Sequence, residues 1–330
     1  IAVFTLLLLG VGSGHAQRWE KMPLAAPYDA GFYLDVFFLP SNPQLGWACD
    51  QKNGYIVKTT NGGATWLGIA SVRAGCHLEY IQFLDANTGY CSGPGGAFKS
   101  TNGGNTWTEL TFPQAFPKWG GWFRDVNNGW FTGGGCGRAT FMHTTDGGTS
   151  FNVYVDSSVA RSNLTDPLWD AGMATNEVYA VGNGTIWKST DDGQTFTVFS
   201  YTGTTAPWHE ELARYGSSFL VPSATDNCGT GYTGGGMRFS VDNGSTWRNR
   251  ETGEQMFGAF LVNATTAWAS GFNASVYYTS DGGQNWELRN CGLEGADVDD
   301  ITFLDASTGW VVGDGIFRLA PPKRTQSDTS

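Results

Sequence analysis

The stretch Ser100-Thr-Asn-Gly-Gly-Asn-Thr-Trp107 decides the fold, because it recurs. Related octets begin at Thr59, Thr144, Ser189, Ser240 and Thr279, and they close on Trp66, Phe151, Phe196, Trp247 and Trp286. Their spacing is 39 to 51 residues. The shared pattern is Ser/Thr-x-Asp/Asn-x-Gly-x-Ser/Thr/Asn-aromatic, which is the chemistry of a tight corner. An Asp or Asn carboxyl or amide oxygen can accept from backbone N–H groups just downstream. The fixed glycine permits a positive φ that a Cβ would penalise. The closing aromatic restarts a strand and brings a large apolar surface to bury. Short apolar runs flank each octet, so each copy reads as the corner of a β-hairpin.

A second motif alternates with the first. Ile81-Gln-Phe-Leu-Asp-Ala-Asn-Thr-Gly-Tyr-Cys91 is echoed by Ile301-Thr-Phe-Leu-Asp-Ala-Ser-Thr-Gly-Trp-Val311, with looser copies starting near Val36, Trp122, Trp169, Gly216 and Gly258. Seven such hairpins stand against six octets. The mismatch resolves if the ends meet: Arg18-Trp19-Glu20-Lys21 reads as a post-octet strand with no octet before it. The expected fold is therefore all-β, a seven-bladed propeller of four antiparallel strands per blade, its last blade completed by the N-terminal strand. The propeller is placed at 17–320, about 45 residues per blade, with a polar tail or linker at 321–330.

Composition agrees. The 330 residues include 47 Gly, 14 Trp, 12 Tyr and 21 Phe, and only 15% are charged. Glycine at this density disfavours helices while aromatics favour strands. The net charge of -11 repels phosphate backbones and anionic headgroups, so neither nucleic acid nor a membrane surface is an expected partner. Ile1–Leu9 is almost wholly apolar yet far short of the ~20 residues that span a bilayer. Followed by Gly14-His15-Ala16, it reads as a signal peptide (1–16) lacking its charged start, which implies a secreted, periplasmic or cell-surface protein without membrane insertion.

The octets resemble the Asp-box (BNR) repeats of sialidases, sortilin-type receptors and xyloglucanases. Combined with Phe-Leu-Asp-Ala-Asn-Thr-Gly-Tyr, they resemble the propeller family of photosystem II assembly and stability factors and its exported bacterial relatives. In such propellers the octets lie on the outer part of each blade, so the resemblance implies a structural role for them. The photosynthetic role goes with a basic face. Here 19 Lys and Arg face 30 acids, and no arginine cluster recurs. A sialidase would carry Phe/Tyr-Arg-Ile-Pro near its start, and none occurs.

Ligands of propellers meet the loops that lead into each blade's innermost strand. Those loops supply Arg73, His77 and Glu79 in blade two, Trp119, Trp122 and Arg124 in blade three, and Trp169 and Asp170 in blade four. Blade five adds Trp208, His209 and Glu210, and blade seven adds Asp300. Trp208-His209-Glu210-Glu211 is the densest group: an indole, an imidazole and two carboxylates suit a sugar or a peptide. The alternative is plain packing, with Trp208 between blades. Asp297, Asp299 and Asp300 read as a solvated acidic loop rather than a calcium site.

The expected function is a monomeric, non-catalytic binding or scaffolding module that engages a protein or glycan on its funnel face, with no cofactor and no metal. One rival is a glycoside hydrolase or lyase using funnel carboxylates, since glycosidases place two carboxyls roughly 5–10 Å apart. Another is an assembly factor for a membrane complex. Six cysteines permit up to three disulfides. Cys49 with Cys76, and Cys136 with Cys228, are the pairs that neighbouring or equivalent loops could bring together.

Overall fold

A computed structural model describes residues 17–158, 164–168, 176–202, 206–226, 228–229 and 231–320. The chain forms seven four-stranded antiparallel sheets. Six are consecutive meanders, whose innermost strands are Tyr33–Phe38, Tyr80–Phe83, Lys118–Phe123, Leu164–Leu168, Ala213–Tyr215 and Met256–Leu261. The seventh runs from Val298–Asp305 outward and takes Arg18–Lys21 as its outermost strand. Arg18 pairs with Ala320 and Lys21 with Phe317, so the two ends of the propeller are held by one sheet.

Antiparallel order fixes which turns share a face. The octets link third to fourth strands, and they lie at the same end of the blades as the turns between first and second strands. Within a blade the two are hydrogen-bonded: Gly62 N–H donates to Gln44 O at 3.0 Å, Gly103 to Asn87 at 2.9 Å and Gly282 to Thr265 at 2.9 Å. The opposite face carries the loops between blades and the turns between second and third strands.

Each octet closes in the same way. In the second, the Ser100 hydroxyl accepts from Gly104 N–H at 2.9 Å and donates to Asn102 Oδ1 at 3.1 Å, which accepts from Thr106 N–H at 2.9 Å. The corner needs two successive residues at positive φ, and Asp192 and Asn243 take the first of these places where the other octets have glycine. Asp and Asn tolerate that region better than other side chains.

The core lies between blades. Buried apolar residues divide into seven clusters, one at each boundary between neighbours. At four boundaries, a second-strand aromatic packs on the first-strand Phe of the next blade. The pairs are Trp47–Phe83 at 3.7 Å, Tyr90–Phe123 at 3.5 Å, Trp268–Phe303 at 4.9 Å and Trp310–Phe38 at 4.3 Å between ring centroids. Contacts of this kind add about 0.5–1.5 kcal/mol each beyond the area they bury. They also explain the Thr-Gly-Tyr/Trp motif: a Cβ on Gly89 would stand 2.5 Å from the Phe83 ring.

A Cys136–Cys228 disulfide joins the turns between second and third strands of blades three and five. The blade-five loop reaches across blade four to make it, guided by Asp226, which accepts from Asn183 Nδ2 at 2.7 Å and from Cys228 N–H at 2.8 Å. The expected Cys49–Cys76 bond is absent, and both are free thiols. Cys49 stands opposite Ile56 in its sheet, whereas the Cys76 sulfur turns to Arg73 Nη2 at 3.9 Å. Both lie with Cys91 in the core between blades one and two, where burial pushes all three thiols above their ordinary range.

Two substitutions test this architecture by denaturant unfolding. Trp19→Ala, removing the buried ring of the closing strand, is expected to cost about 3–5 kcal/mol. Ser100→Ala, which leaves the buried Gly104 N–H without its acceptor, is expected to cost about 1–3 kcal/mol.

Candidate functional site: the axial channel

The seven innermost strands surround the propeller axis, and a cavity of about 600 Å³ runs along it. Its wall combines carboxylates with aromatic rings: Asp35, Glu79, Glu210, Glu211, Asp299 and Asp300 with Trp119, Trp122 and Phe257. Among the described residues, no Lys, Arg or His lines the cavity.

Local irregularities in the strands shape this wall. The pairing register shifts between Tyr33 and Asp35, between Lys118 and Gly120, between Met256 and Gly258, and between Val298 and Ile301. A bulge re-aims the side chains at its position. Here the bulged segments put Leu34 and Asp35, Trp119, Phe257, and Asp299 and Asp300 on the cavity.

Several of the acids also tie one blade to the next. Asp300 Oδ2 accepts from Val36 N–H at 3.0 Å, Asp35 Oδ2 from Ile81 N–H at 2.6 Å, and Glu211 Oε2 from Ala259 N–H at 2.5 Å. Gln82 does the same work as an amide, accepting from Phe123 N–H at 2.7 Å and donating to Phe123 O at 3.0 Å. Asp300 also hydrogen-bonds with the Asp35 carboxyl. Burial raises the Asp300 pKa, while the N–H groups of Val36 and Ile301 and the Asp35 carboxyl pull it back in part.

Asp299 differs. It is 6% exposed, and no hydrogen bond reaches its carboxyl among the described residues. Burial, followed by the charges of Glu210, Glu79, Asp300 and Asp35, pushes its pKa well above the usual carboxylate range. The Asp297–Asp300 run is thus no solvated loop at its C-terminal end, because residues 298–305 form the innermost strand of blade seven.

The structure distributes the sequence candidates among several places. Glu79, Trp119, Trp122, Glu210 and Asp300 line the channel together. His77 stands behind them, with Nε2 against Glu79 Oε1 and its ring 6.2 Å from that of Trp119. Arg73 lies on the outer part of blade two, 3.0 Å from Glu109 Oε2. Arg124 follows the innermost strand of blade three and so belongs to the octet face, 2.6 Å from Asp192 Oδ1. Trp208 bridges Asn183 and Ala224 through its backbone, between blades four and five. His209 is fully buried, with Nδ1 2.9 Å from Pro222 O, and burial and the Arg238 charge lower its pKa to about 3. Its imidazole is thereby held neutral at neutral pH and lies off the channel. Trp169 and Asp170 lie outside the described residues.

Glu211, placed with Glu210 from the sequence, lines the channel too; sequence reasoning missed Asp35 and Phe257 and took Asp299 for a solvated loop residue. One signal was present: Asp35 and Asp300 each stand three residues before the Phe of Phe38-Leu39 and Phe303-Leu304, the same pair that marks the repeat.

Comparison with known proteins agrees with this architecture. The BNR/Asp-box repeat matches residues 277–288, around the last octet. A sialidase of Bacteroides fragilis is 24% identical over 234 residues, which is 70% of this chain and 34% of the sialidase. The chain thus spans about a third of that relative's length. Among solved structures, YCF48 from Cyanidioschyzon merolae superposes with a TM-score of 0.69 at 16% identity, covering 92% of this chain and 99% of that one. YCF48 bound to a D1 peptide gives 0.67 at 16% identity, covering 92% and 95%. A GH74 xyloglucanase from Xanthomonas campestris gives 0.64 at 13% identity, covering 92% and 53%. The chain is a seven-bladed β-propeller with Asp-box repeats that resembles the photosystem II assembly-factor propellers in fold.

The two kinds of acid give stability an opposed pH dependence. Hydrogen bonds from Ser150, Thr246 and Asn285 hold the octet acids Asp146, Asp242 and Asp281 down at about 2. Their contribution is present above the ordinary Asp pKa of about 3.9 and is lost as pH falls through about 2. Asp299 has the opposite sign: its contribution is present in acid and is lost as pH rises through its raised pKa. Asp299→Asn is therefore expected to raise the melting temperature at pH 7 and to flatten the neutral limb of the profile, as read by calorimetry from pH 3 to 8. An unchanged neutral limb would refute the assignment.

Proposed function

We propose that this chain is an exported, non-catalytic binding propeller that takes a protein or glycan ligand at its funnel face, in the axial channel. The observation that carries the reading is the channel itself: about 600 Å³ of space walled by Trp119, Trp122 and Phe257 and edged by carboxylates. Aromatic faces with a few polar groups are the usual composition of a ligand pocket. A peptide-bound structure of YCF48, alike in fold, supports a peptide as occupant. The Cys136–Cys228 bond supports an oxidising compartment.

The hydrolase reading draws on the sialidase and xyloglucanase likenesses. Against it, Asp35, Asp300 and Glu211 are each committed to a backbone N–H of the neighbouring blade. A general acid or nucleophile must be free to change partners during turnover. The preponderance of acids, around the channel and over the whole sequence, disfavours the basic-face chemistry of a photosystem assembly factor.

The test is capture from glycan arrays and extracellular protein pools by the wild-type chain and by Trp119→Ala and Trp122→Ala. Loss of an aromatic anchor is expected to weaken binding by about 2 kcal/mol, roughly thirty-fold. A ligand that binds both variants like wild type would move the site off the channel. Hydrolysis of a sialoside or xyloglucan, abolished by Glu210→Gln, would replace the binding reading by the enzymatic one.

A further inference from the structure

The strongest unexplained feature is the Asp299 carboxyl. It is buried, lines the channel beside Glu79, Glu210, Asp35 and Asp300, and has no hydrogen-bond donor among the described residues. Uncompensated burial of this kind is costly, and where it persists a partner is usually missing. The neighbouring acids differ in having partners: Asp300, Asp35 and Glu211 hold backbone N–H groups, and Glu79 meets His77. The bulge between Val298 and Ile301 turns Asp299 toward the axis together with Asp300, although consecutive residues of a regular strand face opposite ways. The irregular backbone thus places a second, unpartnered carboxyl in the channel.

We infer that Asp299 is the seat of a cationic side chain, an arginine of a protein segment that enters the axial channel, with Glu79 and Glu210 flanking the guanidinium and Trp119 and Trp122 beside it. The inference rests on the channel being the binding site and adds the chemistry of its occupant. A guanidinium supplies what the described wall residues around Asp299 do not, several N–H donors and a positive charge in one planar group. Its flat face also suits an indole, by cation–π attraction. A neutral sugar would bring donors but no charge to a carboxyl that feels the charges of Glu210, Glu79, Asp300 and Asp35. A bare divalent cation fits less well: among the described residues, no three His, Cys, Asp or Glu side chains are grouped to hold a metal. The net charge of -11 adds a long-range attraction for basic segments that salt screens.

The experiment uses the complete chain, with a capped Gly-Gly-Arg-Gly-Gly peptide and its citrulline counterpart, which keeps the shape but not the charge. Binding is read by tryptophan fluorescence and calorimetry at two salt concentrations. The arginine peptide is expected to bind at least about tenfold more tightly than the citrulline peptide, the value of one charge-assisted contact. Asp299→Asn should erase that difference while remaining folded, and Trp119→Ala should weaken both peptides.

Equal affinity for the two peptides, or an undiminished preference in Asp299→Asn, overturns the arginine seat. It leaves the channel reading standing if Trp119→Ala still weakens binding. Calcium or magnesium binding that is lost in Asp299→Asn, without any peptide binding, also overturns it in favour of a metal. If neither peptide binds, the arginine seat falls, and the channel reading then stands or falls by the effect of Trp119→Ala in the capture experiment.

Discussion

Everything in this molecule depends on the contact between one blade and the next. A single four-stranded sheet with Trp47 or Trp310 on its face has nothing to cover that ring. The first-strand Phe of the following blade covers it, so burial is completed only by a neighbour. The demand passes around the ring until blade seven must meet blade one. Trp310 packs on Phe38 there, and the strand Arg18–Lys21 supplies the outer edge of the last sheet. Closure is therefore a condition for the core rather than an addition to it.

The same constraint produces the site. Innermost strands that converge on an axis leave space along it, and their backbone N–H groups need acceptors there. Carboxylates of the preceding blade supply them at Val36, Ile81 and Ala259. An acidic channel is thus partly a by-product of fastening blades together. This is why Asp35, Asp300 and Glu211 are poor candidates for chemistry. Asp299 stands apart, since its carboxyl accepts no hydrogen bond among the described residues and its burial is unfavourable at neutral pH. A residue that costs stability without holding the fold is where function is expected to reside.

The fold was legible because its signals are local and repeated. The Ser/Thr, Asp/Asn and Gly of each octet act within eight residues, so the pattern that makes the corner is visible in the pattern of letters. The surplus hairpin likewise showed that the ends must meet. The site was less legible. Trp119, Trp122, Glu79, Glu210 and Asp300 could be placed near the axis from loop position. His209 resembled a ligand beside Trp208 and Glu210, yet its ring is the core partner of Pro222 O. Arg124 belongs to the opposite face because strand direction, and not nearness in sequence to Trp122, decides which end of a blade a residue occupies.

The sequence by itself determined the number of blades, the corner chemistry and the strand that closes the ring, because each rests on contacts within a hairpin or on a count of repeats. Tertiary structure decided which acids converge, which of them are already bonded and which cysteines meet. Those outcomes depend on register shifts at Leu34, Trp119, Phe257 and Asp299, where one extra residue turns a side chain from one face of the strand to the axis. They depend also on a loop that crosses a whole blade to join Cys228 to Cys136. A bulge leaves no periodic trace in the residues around it, so the channel became readable only when seven strands were brought together.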